Sequence, residues 1–236
     1  MSRRLLSPRL LTRRLREARW WLLDYGYAAT AQARAAFSQA GPEDFRSGAE
    51  APIVIIPGVY ESWQFMRPLI RILHDHGHPV HVVAALGRNR RSLAHASATV
   101  AAYLEREHLT GVIIVAHSKG GLIGKLLMTT DDPERRVRAM AAISAPFGGS
   151  RYARYWVMPS IRAFAPANAA LQSLGQDRRV NHRIVSIDGV FDPHSPEGSE
   201  LVGARNIQLR VGGHFRILGD PRTVRAVLDA VTDAAS

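Results

Sequence analysis

Cysteine is absent from the 236 residues. That excludes a thiol nucleophile, a thiolate metal site and a disulfide framework. Lysine is nearly absent: only Lys119 and Lys125 occur, so arginine carries almost all the positive charge. No apolar run reaches the ~18 residues that a membrane-spanning helix needs. The sequence contains no G-x-G-x-x-G and no phosphate loop, so no nucleotide cofactor is expected. Nothing repeats internally and no segment is of low complexity. What remains is ordinary for a folded chain, with 46% apolar and 22% charged residues. At this length one domain buries a core without covalent staples.

A net charge of +11 would point to nucleic acid or membrane if it were spread over the chain. It is not spread. Seven arginines and one acid, Glu17, put +6 into the first twenty residues and leave a mildly basic body. Residues 1–41 read as one basic amphipathic helix. Ser7 is the candidate N-cap and Pro8 fits the first helical position. Leu11, Leu15, Ala18, Leu22 and Ala29 follow at helical spacing, and Gly41-Pro42 ends the pattern. The first expectation is a helix docked on the body, its arginine stems lying along apolar surface. The alternative is peripheral contact with an anionic membrane, helped by Trp20, Trp21, Tyr25 and Tyr27. Nucleic acid is the least expected partner. Ser2-Arg3-Arg4 resembles a twin-arginine start, but Arg13, Arg14, Arg16, Glu17 and Arg19 interrupt any apolar core. The chain therefore carries no convincing export signal and reads as cytoplasmic, peripheral at a membrane in the alternative. An Arg-rich, acid-poor start is also the composition of an organelle presequence.

Beyond a polar linker, residues 51–236 alternate short β-branched runs with helical patterns, which predicts a mainly parallel sheet of about six strands with helices on both faces. The strand candidates are Ile53–Ile56, Pro79–Ala84, Gly111–Ala116, Val137–Ile143, Arg183–Ile187 and Asn206–Val211. Helices are predicted over Ser62–His76, Ser92–Glu107, Gly120–Met128, Asn168–Leu174 and about Pro221–Thr232. At about 146–180 the rhythm breaks. That stretch is rich in aromatics, including Phe147, Tyr152, Tyr155, Trp156 and Phe164, and reads as a lid-like insertion.

Chemistry concentrates where the third predicted strand runs into Ala116-His117-Ser118-Lys119-Gly120-Gly121 and then a helix. A serine at the apex of a strand–turn–helix stands open above the sheet, at the head of a helix whose dipole favours an oxyanion. Small residues on either side of it avoid collision with the neighbouring strand and helix. The first predicted strand ends in Pro57-Gly58-Val59, a second tight turn at the same end of the sheet. Near the C-terminus, Gly212-Gly213-His214 follows the last strand and brings a base over the sheet's carboxyl end. Asp188 and Asp192 both lie between Ser118 and His214, and both are candidates for the acid.

These residues resemble the α/β-hydrolase superfamily, in particular the small lipases and esterases related to minimal bacterial triacylglycerol lipases and GPI-inositol-deacylase-like hydrolases. The resemblance runs from about Pro52 to Thr232 and begins at what would be the third strand of the full fold. It rests on Pro57-Gly58, Ala116–Gly121, the turn Ser144–Ser150, Asp192 and Gly213-His214. It implies a Ser118–Asp192–His214 triad, Asp192 being favoured over Asp188 by the register Ile187-Asp188-Gly189-Val190-Phe191-Asp192. It also implies an oxyanion hole made by the backbone N–H groups of Val59 and Lys119. Ala116 replaces the usual first glycine, and Pro57 stands where histidine is commonest. Lys119 replaces a neutral residue and puts a cation beside the nucleophile, which leaves the charge preference for substrate open.

The resemblance implies a serine ester hydrolase that takes a small-molecule or lipid ester with an apolar group. Thioesterase, amidase or perhydrolase chemistry on the same triad is the alternative within enzymes. A membrane-surface or partner-binding protein on a hydrolase scaffold is the alternative outside them. All candidate reacting residues lie beyond Pro52, so the N-terminal helix is not expected to take part in the chemistry. His74, His76, His78 and His81 cluster in sequence, but the turn at Gly77-His78-Pro79 splays them and no metal is expected. His117 is expected to pack beside Ser118 rather than act as the base. Asp131-Asp132-Pro133-Glu134 reads as a solvated turn.

Overall fold

The computed structural model describes residues 8–36, 41–155 and 157–235. Ser7, Ser2-Arg3-Arg4 and Trp156 lie outside the described residues.

Six strands form one sheet: β1 (Ile53–Ile56), β2 (Val80–Val82), β3 (Val112–His117), β4 (Val137–Ile143), β5 (Ile184–Phe191) and β6 (Arg205–Gly212). Their order is β2-β1-β3-β4-β5-β6, and every neighbouring pair is parallel. From β1 the chain crosses to one side to make β2, then returns past β1 to make β3. That reversal opens a crevice at the carboxyl ends of β1 and β3, where open α/β sheets hold their ligands.

Both faces of the sheet are covered, so the central strands are apolar throughout. Ile53, Val54, Ile55 and Ile56 are all fully buried, each side chain stabilising the fold by roughly 1.5–3 kcal/mol. Val54, Ile56, Ile114 and Ala116 face α3 (Leu93–Arg106) and α4 (Lys119–Leu126). Ile53, Ile55, Ile113 and Val115 face α2 (Arg67–Asp75) and α7 (Pro221–Ala235).

Each predicted strand is present; β1 and β4 keep their predicted bounds, and the other four have shifted ends. β5 runs four residues further than expected, because Gly189 and Phe191 pair with β6 across a bulge. A side chain at Gly189 would meet the Val211 carbonyl at 2.6 Å, so the close approach of β6 there requires glycine. The helix expected from Ser62 begins as a 3-10 turn over Trp63–Met66 and becomes α-helical only at Arg67. Pro68 has no N–H to extend the earlier turn and fits the start of a new helix. α4 ends in a π turn, Leu127–Asp131. There the Thr129 and Thr130 hydroxyls donate back to the Leu126 carbonyl. The expected solvated turn that follows is instead tied down. Asp132 accepts the Arg136 and Val137 N–H groups at the start of β4, and Asp131 accepts the Ser97 hydroxyl.

The segment 146–180 holds a 3-10 turn (Ala153–Tyr155), a single helical turn, α5 (Pro159–Arg162), and α6 (Ala169–Gln176). Phe147, Phe164, Leu171 and Leu174 bury themselves in the core on the α4 face. The Tyr60 hydroxyl reaches Met158 Sδ and Ser160 Oγ, both at 3.0 Å, so the segment is fastened over the end of β1.

α1 (Pro8–Ala36) docks on the body, against the turn Trp63–Met66, the end of β6 and the 3-10 turn Arg216–Gly219. The face it buries is not the one its periodicity marks. Leu15 and Leu22 are 63% and 76% exposed, whereas Asp24 on the opposite face is 0% exposed. Trp20 stacks on Phe191, and Tyr27 packs edge-on against Phe65. The body receives α1 through a glycine-rich loop, whose gaps accept rings and a carboxylate rather than leucines. The linker is also held: Phe45 is buried against Trp63 and His74.

Candidate active site

β3 delivers Ser118 into the crevice with φ 51° and ψ −120°. This left-handed backbone costs about 1–3 kcal/mol for a residue with a Cβ and is retained where the surroundings over-determine it. Here they do. A side chain at Gly120 would strike the Ile56 carbonyl, and one at Gly121 would strike Ala145 Cβ, so the turn closes only with glycine at both places.

Three of the sequence-derived residues meet. Ser118 Oγ lies 2.9 Å from His214 Nε2, and His214 Nδ1 lies 2.7 Å from Asp192 Oδ2. Ser118, Asp192 and His214 are 7%, 6% and 5% exposed, so the whole chain of hydrogen bonds is shielded from bulk water. Asp192 Oδ1 accepts the N–H groups of His194 and Ser195, which orients the carboxylate. Asp188 is turned elsewhere: it accepts the N–H groups of Gly189 and Ser199 and so pins the loop beside β5.

Electrostatics divides these groups. Burial lowers the His214 pKa, but the Asp192 carboxylate with its hydrogen bond, joined by Glu61 and Asp24, more than reverses this and raises it to about 9. Burial tends to raise that of Asp192, yet the charge and hydrogen bond of His214 and the two loop amides hold it below the usual value. Asp188 has fewer compensating partners. Burial and the neighbouring Asp192 raise it to about 6.

Val59 lines the same cavity as Ser118, and Lys119 is the first residue of α4. Among the described residues neither backbone N–H has an acceptor, so both remain available to a ligand. The Lys119 side chain is a correction to the sequence reading. Its ammonium does not stand beside the nucleophile's substrate but is buried, donating to the Asn89 and Arg91 carbonyls. Burial lowers its pKa to about 8.

The cavity in front of Ser118 has a volume of about 540 Å³. Val59, Met158, Ile161, Phe164 and Phe215 give it apolar walls. Trp21 and Tyr25 of α1 line it too, so the helix reaches the candidate site.

Several contributors escaped sequence reasoning. Glu61 is buried and accepts both the Gly58 N–H, at 2.8 Å, and the His117 ring, at 2.9 Å. His117 Nε2 lies 3.0 Å from the His214 carbonyl. A carbonyl only accepts, so Nε2 is the donor in that bond. His117 thus props the candidate base from behind. The His194 ring lies tilted, 4.9 Å from that of His214; burial first, then the His214 charge, lower its pKa to about 4. Glu61 carried a faint signal, an acid three residues after Pro-Gly; Asp24 and His194 carried none. The four clustered histidines form separate hydrogen bonds, to Ser47, the Ile72 carbonyl, the Ala51 carbonyl and Tyr103.

No protein-family model and no curated protein matches the chain. Solved structures do. The mature form of the Bacillus licheniformis lipase BlEst2 superposes with a TM-score of 0.63 at 16% identity, over 78% of this chain and 92% of that one. A Paleococcus ferrophilus monoacylglycerol lipase gives 0.58 at 14% identity, over 78% and 94%. Mouse alpha/beta hydrolase domain-containing protein 10 gives 0.58 at 14% identity, over 79% and 90%. Strand order, the strained serine turn at the end of β3 and these superpositions agree: the chain has the α/β-hydrolase fold.

Proposed function

We propose that the protein is a serine hydrolase of carboxylic esters. Ser118 Oγ attacks the acyl carbon while His214 Nε2 takes its proton, and Asp192 steadies the resulting imidazolium. The Val59 and Lys119 amides receive the oxyanion, each such donor being worth roughly 3–4 kcal/mol of barrier. His214 returns the proton to the departing alkoxide. Water, deprotonated by the same imidazole, then cleaves the acyl-enzyme to carboxylic acid and free Ser118. The observation that carries this reading is the shielded hydrogen-bonded chain Ser118–His214–Asp192 opening onto a cavity beside two unpaired amides. The apolar walls favour an ester with an apolar acyl or alcohol group.

A lipid surface as the source of that ester is favoured by α1. Its outward stripe, Leu15, Ala18 and Leu22, is exposed and flanked by the exposed Arg14 and Arg19, and Trp21 leads from it to the cavity. Among the described residues no helix is long and apolar enough to cross a membrane, so such contact would be peripheral.

The test is labelling by a fluorophosphonate, with turnover of p-nitrophenyl esters of graded chain length. Modification at Ser118, and loss of at least ~10³-fold turnover in folded Ser118→Ala, is the expected result. Retained turnover in that variant would refute the assignment.

A further inference from the structure

Asp24 lies in the middle of α1 and is 0% exposed. Among the described residues its carboxylate makes no ion pair with the arginines of the helix. Instead Oδ2 accepts the His214 N–H at 3.0 Å, and Oδ1 accepts the N–H groups of Phe215 and Arg216 at 2.7 and 2.8 Å. One carboxylate therefore takes three consecutive amides at the start of the turn Arg216–Gly219, where backbone donors have no partner of their own.

The loop is shaped to admit it. Gly213 has φ 116°, and a side chain there would meet Asp24 Oδ1 at 2.5 Å. Gly212 leaves room for the Trp20 ring, and Gly219 for Tyr27, where a Cβ would stand 2.7 Å from Cε2. Residues 20, 24 and 27 form one helical face, matched to glycines 212, 213 and 219. A neutral cap would satisfy the amides at lower desolvation cost, because an ionised carboxylate is expensive to bury. What the carboxylate adds is a rigid, charged grip on the residue that carries the imidazole.

His214 is then held at every polar atom. Asp24 takes its N–H, His117 donates to its carbonyl, Asp192 accepts from Nδ1, and Nε2 faces Ser118. We infer that Asp24 is a positioning residue for His214, and that α1 is a working part of the active site rather than an appended helix. The inference rests on the reading of His214 as the general base. It also explains why Trp21 and Tyr25, the neighbours of Asp24, wall the cavity, with the Tyr25 hydroxyl 3.4 Å from His194 Nε2.

A purely structural cap and a positioning residue predict different things. The charged or titratable groups around His214 are Asp192 and Asp188 from β5 and its end, Glu61 after β1, His117 in β3, His194, Arg216 and Asp24 in α1. Asp24 is one of the anions that hold the His214 pKa up. In the full-length protein, Asp24→Asn keeps the shape and one acceptor but loses the charge. Its kcat should fall on the order of 10²-fold with KM for a p-nitrophenyl ester little changed, as expected when a reacting group is displaced. The midpoint of the pH profile should move down. Trp20→Ala removes packing from the same helix but no bond to the loop. It should lower Tm without moving that midpoint.

The same question is answered without turnover by NMR titration of the His214 ring and by hydrogen exchange of the 212–219 amides. A lowered His214 midpoint and faster exchange in Asp24→Asn support the positioning role even if the wild-type protein cleaves no ester, an outcome that would remove only the ester-hydrolase reading. Wild-type kcat, ring titration and exchange in folded Asp24→Asn would overturn the inference. Should that variant not fold, Asp24→Ser is read in the same way. If neither folds, the carboxylate is a structural cap and the inference fails.

Discussion

Glu61 and His117, 56 residues apart, share a hydrogen bond of 2.9 Å in which neither side chain touches solvent appreciably. The same Glu61 oxygen fixes the Gly58 N–H, so the loop that presents the Val59 amide and the imidazole that props His214 depend on one carboxylate. Glu61→Ala leaves the buried Gly58 amide and the buried Nδ1 of His117 without their partner. Breaking such a pair costs roughly 3–5 kcal/mol, which for a chain of this size lowers Tm by ~6–20 °C. Differential scanning calorimetry measures it. A Tm unchanged from wild type would show that Glu61 is dispensable to the fold.

The two aspartates separate by function. Asp192→Asn should reduce ester turnover at least ~10³-fold, because the amide no longer enforces the tautomer that places the lone pair of His214 towards Ser118. Asp188→Asn should leave turnover within about tenfold of wild type, since among the described residues Asp188 bonds backbone amides, those of Gly189 and Ser199, and no member of the candidate triad. Parallel steady-state kinetics on both variants decides the matter; the reverse ranking would move the acid role to Asp188.

The pH dependence follows from the anions around His214. A general base acts through neutral imidazole, and a pKa raised to about 9 keeps His214 protonated at neutral pH in the free protein. Accordingly kcat/KM should climb about tenfold per pH unit below that value and level off above it. Folding linkage has a definite sign. A histidine pKa raised above its unfolded value near 6.5 contributes stability that is fully present below ~6.5 and is lost as pH rises through the folded value. Chemical denaturation between pH 6 and 10 should therefore show this contribution fading over the range in which activity appears. A flat kcat/KM profile across that range would contradict the charge assignment.

The residues that meet in the candidate site were legible because each announces itself locally. Ser118 sits between a fully apolar strand and a helix, flanked by residues small enough for the turn, and His214 follows a strand and two glycines. The sheet was legible for the same reason, since strands buried on both faces read as unbroken β-branched runs. What lay out of reach depends on distant neighbours. Asp24 meets His214 across 190 residues, and in sequence it is one of two acids, with Glu17, in a basic helix. Lys119 was misjudged because the carbonyls that capture its ammonium belong to Asn89 and Arg91, in a loop some 30 residues upstream. On α1 the hydrophobic period itself misled: Leu15, Ala18 and Leu22 mark the outer face, and the buried face is made of Trp20, Asp24 and Tyr27.

That inversion makes docking and lipid contact compatible, and it determines how lipid contact has to be tested. Deleting α1 removes the outward stripe together with Asp24, so lost activity or lost binding after truncation would have two causes. Substituting only the outer face separates them. In Leu15→Glu/Leu22→Glu the docked side is untouched, so Tm and turnover of a water-soluble ester should match wild type. Binding to vesicles of anionic phospholipid should fall sharply, because two leucines no longer insert and two carboxylates repel the surface. For wild type, binding should weaken as salt rises from 50 to 500 mM, each arginine near the surface contributing ~1 kcal/mol at low salt. Vesicle sedimentation at both salt concentrations reads all of this. Equal sedimentation of wild type and the double variant would place any lipid contact elsewhere on the molecule, and no sedimentation of wild type at 50 mM salt would remove the lipid surface as the source of substrate.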